Sequence, residues 1–204
     1  YTYGADGTKL RTVHKIGSTT TTTDYCGNVI YENGTQKLLL TEEGYINLAG
    51  TQQYHYYLKD HQGNNRVVIN RSGTVEENNH YYPFGGVFAT AGNTQPYKYN
   101  GKEFDTKKGL NWYDYGARHY DTALGRFMTN DRFAEKYYSM SPYQYGANSP
   151  VVNIDVNGDS IRICTETQSF GHTWISVGEG SNMTVYSYGR YNGTNKGQIE
   201  ALIL

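Results

Sequence analysis

YKYNGKEFDTKKGLNWYDYGARHYDTALGRFMTND, running from Tyr97 to Asp131, is the stretch whose reading decides the fold. It is dense in tyrosine, with glycine and aspartate at short intervals, and it is poor in aliphatic residues. The whole chain shares that bias, with 22 tyrosines, 24 glycines and only 4 prolines. Tyrosine favours strands, packs as a broad amphipathic plate and keeps a hydroxyl for a partner. Few aliphatic residues in a highly charged chain would suggest disorder, but the formal net charge here is only -1. A folded, mostly β protein is the reading.

The residues at fixed spacing carry more than composition does. Tyr99-Asn100-Gly101-Lys102-Glu103, Gly109-Leu110, Tyr113-Asp114-Tyr115-Gly116-Ala117-Arg118, Tyr120-Asp121 and Leu124-Gly125-Arg126-Phe127 form one ordered run. This run resembles the core of the RHS repeat-associated family, the closing end of a Tyr-Asp-rich (YD-repeat) shell. The resemblance covers about the first three quarters of the chain and implies a large β shell around a variable C-terminal toxin. It also implies secretion from a bacterium and delivery in competition between bacteria. The partners it implies are the chain's own upstream repeat shell, components of a secretion apparatus and an immunity protein.

Working outward, Tyr1 to Ile16 reads as a hairpin, with Asp6-Gly7 as the turn pair. Thr19 to Thr23 is a β-branched run that suits a strand or an exposed loop. Asp24 to Leu40 repeats the hairpin plan around Glu32-Asn33-Gly34, and a strand fits Lys37 to Glu43 better than a short helix. Tyr54 to Gly85 is the clearest internal unit. Its strands, Tyr54–Leu58 and Arg66–Asn70, are followed by a third leading to Tyr82-Pro83-Phe84-Gly85. Alternation at similar spacing in successive segments marks an array whose hairpins bury their faces against one another.

Beyond the core, Glu135 to Tyr145 suits a short helix or turn, since Ser141-Pro142 interrupts anything longer. Val151 to Asp155 reads as a strand and Asn157-Gly158 as a turn. The expected organisation is therefore YD-repeat hairpins over 1–96, the core over 97–159 and the start of a variable effector domain over 160–204. In that last part IRICTE, HTWISVG and MTVYSYG read as three strands. Tyr1 opens in mid-pattern and Leu204 closes an apolar run, which reads as a piece of a longer chain.

Candidate chemistry begins with two aspartates. The resemblance implies a core ending in Asp-Pro, Asn-Pro and Asp-Pro-x-Gly-Leu segments, with two aspartates cutting just past the last. The matching positions here are Asn130-Asp131-Arg132, Asn148-Ser149-Pro150 and Asp155-Val156-Asn157-Gly158-Asp159. Two carboxyls held close cannot both ionise, so one stays neutral and the pair serves as acid and base. This chain departs from the pattern at Arg132 and Val156, which replace prolines, and at Asp159, which replaces leucine. Arg132 beside Asp131 would keep that carboxylate ionised. The alternative is that Asp131 and Asp155 are turn residues bonding nearby backbone N–H groups. Arg126 is a candidate carboxylate partner, or an arginine packed on tyrosines.

His172, in Phe170-Gly171-His172-Thr173-Trp174, resembles the histidine strand of papain-like hydrolases and would be the base of such an effector. Cys164, the nearest cysteine, has apolar neighbours that suit a buried inert thiol. Cys26 and Cys164 are too few for a disulfide framework. No cofactor motif and no metal-ligand spacing stands out among the histidines. A third function class is a tyrosine-rich surface that binds glycans, against which tyrosine is more simply the packing residue of the array. Near-zero net charge gives no footprint for nucleic acid, and no apolar run approaches the roughly 18 residues of a membrane span.

Overall fold

The computed structural model describes residues 1–159 in full and, as backbone only, the strands at 161–163, 172–177 and 184–189. The chain divides into two compact units, Tyr1–Gly116 and Ala117–Leu204. The first is built on a meander of ten antiparallel strands in sequence order. These are β1 (Thr2–Tyr3), β2 (Lys9–Ile16), β3 (Thr19–Cys26), β4 (Val29–Glu32), β5 (Thr35–Leu40), β6 (Gly44–Asn47), β7 (Gln53–Lys59), β8 (Asn65–Asn70), β9 (Val75–Tyr81) and β10 (Val87–Ala91). Asp6-Gly7 and Asn33-Gly34 are the turns expected of them, with Asn33 and Gly34 both at positive φ. The threonine run is a full strand, β3, and Lys37 to Leu40 lies in β5.

The sheet's covered face has a small apolar centre of Ile30, Leu38, Tyr45 and Val68, flanked by Tyr25, Leu40 and Tyr57. Around that centre the buried side chains are polar: Thr12, His55, Asn65, Glu77 and Asn79. A buried polar group is tolerated only when it is hydrogen-bonded, and the segment after β10 supplies most of those partners. The side-chain amide of Asn65 donates to the Tyr97 carbonyl at 2.8 Å, and its backbone N–H to the Lys98 carbonyl at 3.1 Å. Glu77 accepts from Lys98 at 2.5 Å, Asn79 at 2.6 Å, Gln95 at 3.1 Å and the Thr94 N–H at 2.8 Å.

This suturing explains why the Tyr99-Asn100-Gly101-Lys102-Glu103 run has its composition. Asn100 takes a left-handed backbone, donates through its N–H to Asn64 Oδ1 at 2.8 Å and accepts the Tyr115 hydroxyl at its own Oδ1 at 2.6 Å. Tyr99 donates to the Pro83 carbonyl, and its ring lies over Gly85, where a Cβ would come within 2.5 Å of it. Gly85 is therefore required twice, by that contact and by its φ of +82°. The pair β11 (Glu103–Asp105) and β12 (Trp112–Asp114) follows. Its acids hold the first hairpin: Lys9 bridges Glu103 at 2.6 Å and Asp114 at 2.8 Å, while His14 meets Asp105 at 2.7 Å.

The second unit begins with the pair β13 (His119–Asp121) and β14 (Arg126–Phe127). Asp121 caps the turn between them by accepting from the Ala123 N–H at 2.8 Å. Tyr120, Phe127 and Tyr145 form its aromatic core, with ring centroids 4.6–5.9 Å apart, a spacing suited to tilted ring contacts. The Glu135–Tyr145 region is turns, with one 3-10 turn at Ala134–Lys136. Strand β15 (Asn153–Asp155) pairs with β16 (Ile161–Ile163), and β17 (His172–Val177) pairs with β18 (Thr184–Gly189). No helix among the described residues is long and apolar enough to cross a membrane.

Candidate functional site

The site lies in the second unit and is organised by Arg118, a residue that the spacing argument used only as part of the Tyr113–Arg118 run. Arg118 precedes β13 and is 4 % exposed. Its guanidinium lies over the Phe127 ring, with the carbon 3.8 Å from the centroid, so one face is packed and the edge alone is free to bond. That edge meets four oxygens. Nε donates to the Gly158 carbonyl and Nη1 to the Pro142 carbonyl, the latter at 3.1 Å. Nη2 reaches Asp131 Oδ2 at 2.9 Å and Asp155 Oδ2 at 3.5 Å.

The two aspartates singled out in sequence are thus brought onto one guanidinium although 24 positions apart in the chain. Each also shapes its own turn. Asp131 Oδ1 accepts from the Phe133 N–H at 2.8 Å, and Asp155 Oδ1 from the Gly158 N–H at 2.6 Å. The Asp131 N–H donates to the Pro142 carbonyl, which fixes that loop beside the segment from 141 to 145. Turn formation and pairing are two uses of the same carboxylates.

Burial raises the Asp155 carboxyl to about 6, helped by the neighbouring Asp131 charge and opposed by the Gly158 and Asn157 N–H groups and by Arg118. A raised folded value means that the folded chain holds this proton more tightly than the unfolded chain. The resulting stability is complete below the ordinary carboxylate value near 4 and is lost as pH rises through about 6. Asp155→Asn should therefore gain on wild type by about 3 kcal/mol between pH 4 and pH 7. Urea unfolding at pH 4, 5, 6 and 7 reads this difference, and a flat or reversed trend would refute it.

Arg126, the expected carboxylate partner, is placed elsewhere. Its guanidinium donates to Asn148 Oδ1 and to the Gly125 carbonyl, each at 3.1 Å. Arg118 takes the role because it enters the aromatic core, whereas Arg126 lies at the turn end of β14. Arg132 does not hold Asp131 either. It turns to Asp159 at 2.7 Å, so two of the three departures from the expected pattern are partners of each other. Neighbours in sequence with side chains directed apart do not pair, which is why adjacency misled. The side chain of His172 and all of Cys164 lie outside the described residues.

Elsewhere, a cavity of about 290 Å³ in the first unit is bordered by His14, Lys37 and Lys98. Those groups already meet Asp105, Glu32 and Glu77 within 2.7 Å. Among the described residues no group of three or more His, Cys, Asp or Glu could hold a metal ion. Tyr45, Tyr99, Tyr113, Tyr115, Tyr120 and Tyr145 are buried packing residues, whereas Tyr54, Tyr56, Tyr82 and Tyr138 are exposed.

No family profile matches the chain. Over 119 residues, 56% of its length, it is 38% identical to salivary gland surface protein 1 of Aedes aegypti. Solved structures resemble it over more of its length. The TcdB2-TccC3-Cdc42 crystal structure superposes with a TM-score of 0.64 at 21% identity over 77% of the chain. The Photorhabdus luminescens Tc holotoxin pore, with a mutated TccC3, gives 0.66 at 19% identity over 81%. The fold is shared with these toxin chains. It is an RHS/YD shell-like β fold, with antiparallel sheets and tyrosine-rich clusters. The chain spans 3% of the length of the mosquito protein and 9% of each of those toxin chains.

Proposed function

We propose that this chain closes the C-terminal end of an RHS/YD-repeat shell that encloses and delivers a toxin, and that the core cuts itself between Gly158 and Ser160. The observation that carries the reading is the single guanidinium of Arg118 holding Asp131, Asp155 and the Gly158 carbonyl together. A shell that sequesters its cargo needs the cargo covalently free before release, and residues 160–204 follow that cluster directly in the chain. One of the similar structures is described as TcdB2-TccC3 without its hypervariable C-terminal region. By analogy, residues 160–204 begin the variable cargo, and the repeats over 1–96 with the core over 97–159 belong to the wall. Delivery outside the producing bacterium, a secretion apparatus and an immunity protein follow from the same reading.

The chemistry is that of a carboxyl pair. A water molecule attacks the scissile carbonyl carbon as Asp131 takes its proton and Asp155 gives its own proton to the carbonyl oxygen. Arg118 Nε, already on the Gly158 carbonyl oxygen, stabilises the charge that develops there. In the second step the geminal diol returns a proton to Asp155, the proton on Asp131 passes to the amide nitrogen, and the C–N bond breaks. The products are a carboxylic acid on the core and an amine on the tail. Because Asp155 must be protonated, cleavage should slow as pH rises above about 6.

Intact mass of the purified chain under denaturing conditions, wild type beside Asp155→Asn, tests this. Two masses summing to the full chain plus one water in wild type, and one full-length mass in the variant, are expected. A single full-length mass in both, from pH 5 to 8, would end the self-cleavage reading.

A further inference from the structure

We infer that Arg132 and Asp159 form an electrostatic latch that holds the departing tail in register with the Asp131–Asp155 pair, making both of them positioning residues. Arg132 Nη2 meets Asp159 Oδ2 at 2.7 Å. The two ends of this contact differ sharply: the Asp159 side chain is 4% exposed and that of Arg132 60% exposed. A carboxylate withdrawn from water beneath a cation on the surface is a lid-like arrangement. The carboxylate loses its hydration on docking, and the arginine offsets part of that loss only while it stays in place.

The position of the pair gives it a role. Arg132 directly follows Asp131, and Asp159 lies four residues after Asp155. The contact therefore ties the loop carrying one carboxylate to the turn carrying the other. It does so at the residue directly before position 160, where the tail begins. Inside the latch, the Asp159 N–H donates to Asn157 Oδ1 at 3.2 Å, and the Gly158 N–H to Asp155. The Gly158 carbonyl is held by Arg118 on the opposite side of the same peptide. With Asp159 docked, the Gly158–Asp159 peptide is held on both sides, and its carbonyl stays on the guanidinium that also holds the two carboxyls. Arg132 is further fixed by the ring of Phe133, 4.9 Å from the guanidinium carbon.

This inference takes its catalytic consequence from the self-cleavage reading, but the latch can be judged without it. Hydrogen exchange of peptides covering 155–159, in an Asp155→Asn background that keeps the chain whole, reports docking directly. Arg132→Glu and Asp159→Arg should each speed exchange there by about tenfold or more, as expected when a buried charge loses its partner. The exchanged pair, Arg132→Glu with Asp159→Arg, should recover most of the protection, and Arg132→Lys should stay close to wild type. Raised salt should also speed exchange where Arg132 is present, because an exposed cation is screened.

In the chain with Asp155 intact, the two single changes should slow the appearance of the second mass by about tenfold, with recovery in the exchanged pair. Exchange unchanged in both single variants, or an exchanged pair as unprotected as either, would overturn the latch. If exchange follows the expectation while wild type never cleaves, the latch stands, its role in cutting is overturned, and the self-cleavage reading fails on its own.

Discussion

Arg118→Ala will destabilise the second unit by about 3–5 kcal/mol and abolish any second mass on denaturing mass spectrometry. The size follows from what the guanidinium leaves behind. Asp131 and Asp155 lose the cation they share, the Gly158 and Pro142 carbonyls lose a donor, and Phe127 loses the plane packed on it. Removing one partner of a buried ionic cluster costs far more than the cluster contributes net, because the remaining charges stay buried without compensation. Adding Asp131→Asn and Asp155→Asn to Arg118→Ala should therefore recover a large part of the loss without restoring cleavage. Arg118→Lys keeps a charge but lacks the planar fork that reaches several oxygens at once, so recovery should be partial. Hydrogen exchange at the Phe127 and Met128 amides, whose carbonyl partners are Tyr143 and His119, measures this unit separately from the first. Stability unchanged in Arg118→Ala would show that the cluster is not what organises the site.

Lys98→Met will have a comparable effect on the first unit, about 3–5 kcal/mol, with no direct effect on the site. Glu77 is fully buried and Lys98 nearly so, and the ion pair between them measures 2.5 Å. Burial pushes the Glu77 carboxyl up, but hydrogen bonds from Asn79 and Lys98, the Lys98 charge and the Thr94 N–H outweigh it and hold the group below its ordinary range. For Lys98 burial dominates, and the ammonium is pulled down despite Glu77. The pair is costly to desolvate and worse to break. Glu77→Leu with Lys98→Met should be more stable than Lys98→Met alone, since apolar replacement of both partners removes the stranded charge. The acid limb has a definite sign. A lowered folded value makes the Glu77 contribution complete above about pH 5 and lost as pH falls through that folded value. Lys98→Met should flatten that limb in a urea titration, and an unchanged limb would place the acid sensitivity elsewhere.

The hairpins and the tyrosine-rich run were legible because their signals are local. Asp6-Gly7 and Asn33-Gly34 carry their turn geometry in two residues, and alternation along β7 and β8 needs only the strand itself. The short strands β6 and β10 were harder. Gly44–Asn47 is four residues, and Val87–Ala91 follows Pro83-Phe84-Gly85 with most of its side chains exposed. Neither is long enough for alternation to stand out in sequence, although Tyr45 of β6 lies in the apolar centre. The turn at Ala134–Lys136 matched the short-helix-or-turn expectation because Pro142 limits what can form there.

By itself, the sequence determined the β class, the hairpin array, the ordered Tyr-Asn-Gly-Lys-Glu to Gly-Arg-Phe run and the two aspartates worth testing. The β class and the hairpins depend on spacing of two to a few residues, which the backbone reads directly, whereas the run and the two aspartates rest on the resemblance to the RHS repeat-associated core. Only the tertiary structure decided that Arg118 and not Arg126 meets both carboxylates, that Arg132 turns to Asp159, and that Glu77 is buried against Lys98. Those pairings join residues from 13 to 37 positions apart in the chain. Their energies come from burial and from the direction of each side chain. Neither quantity exists in a linear chain until the aromatic cores have closed.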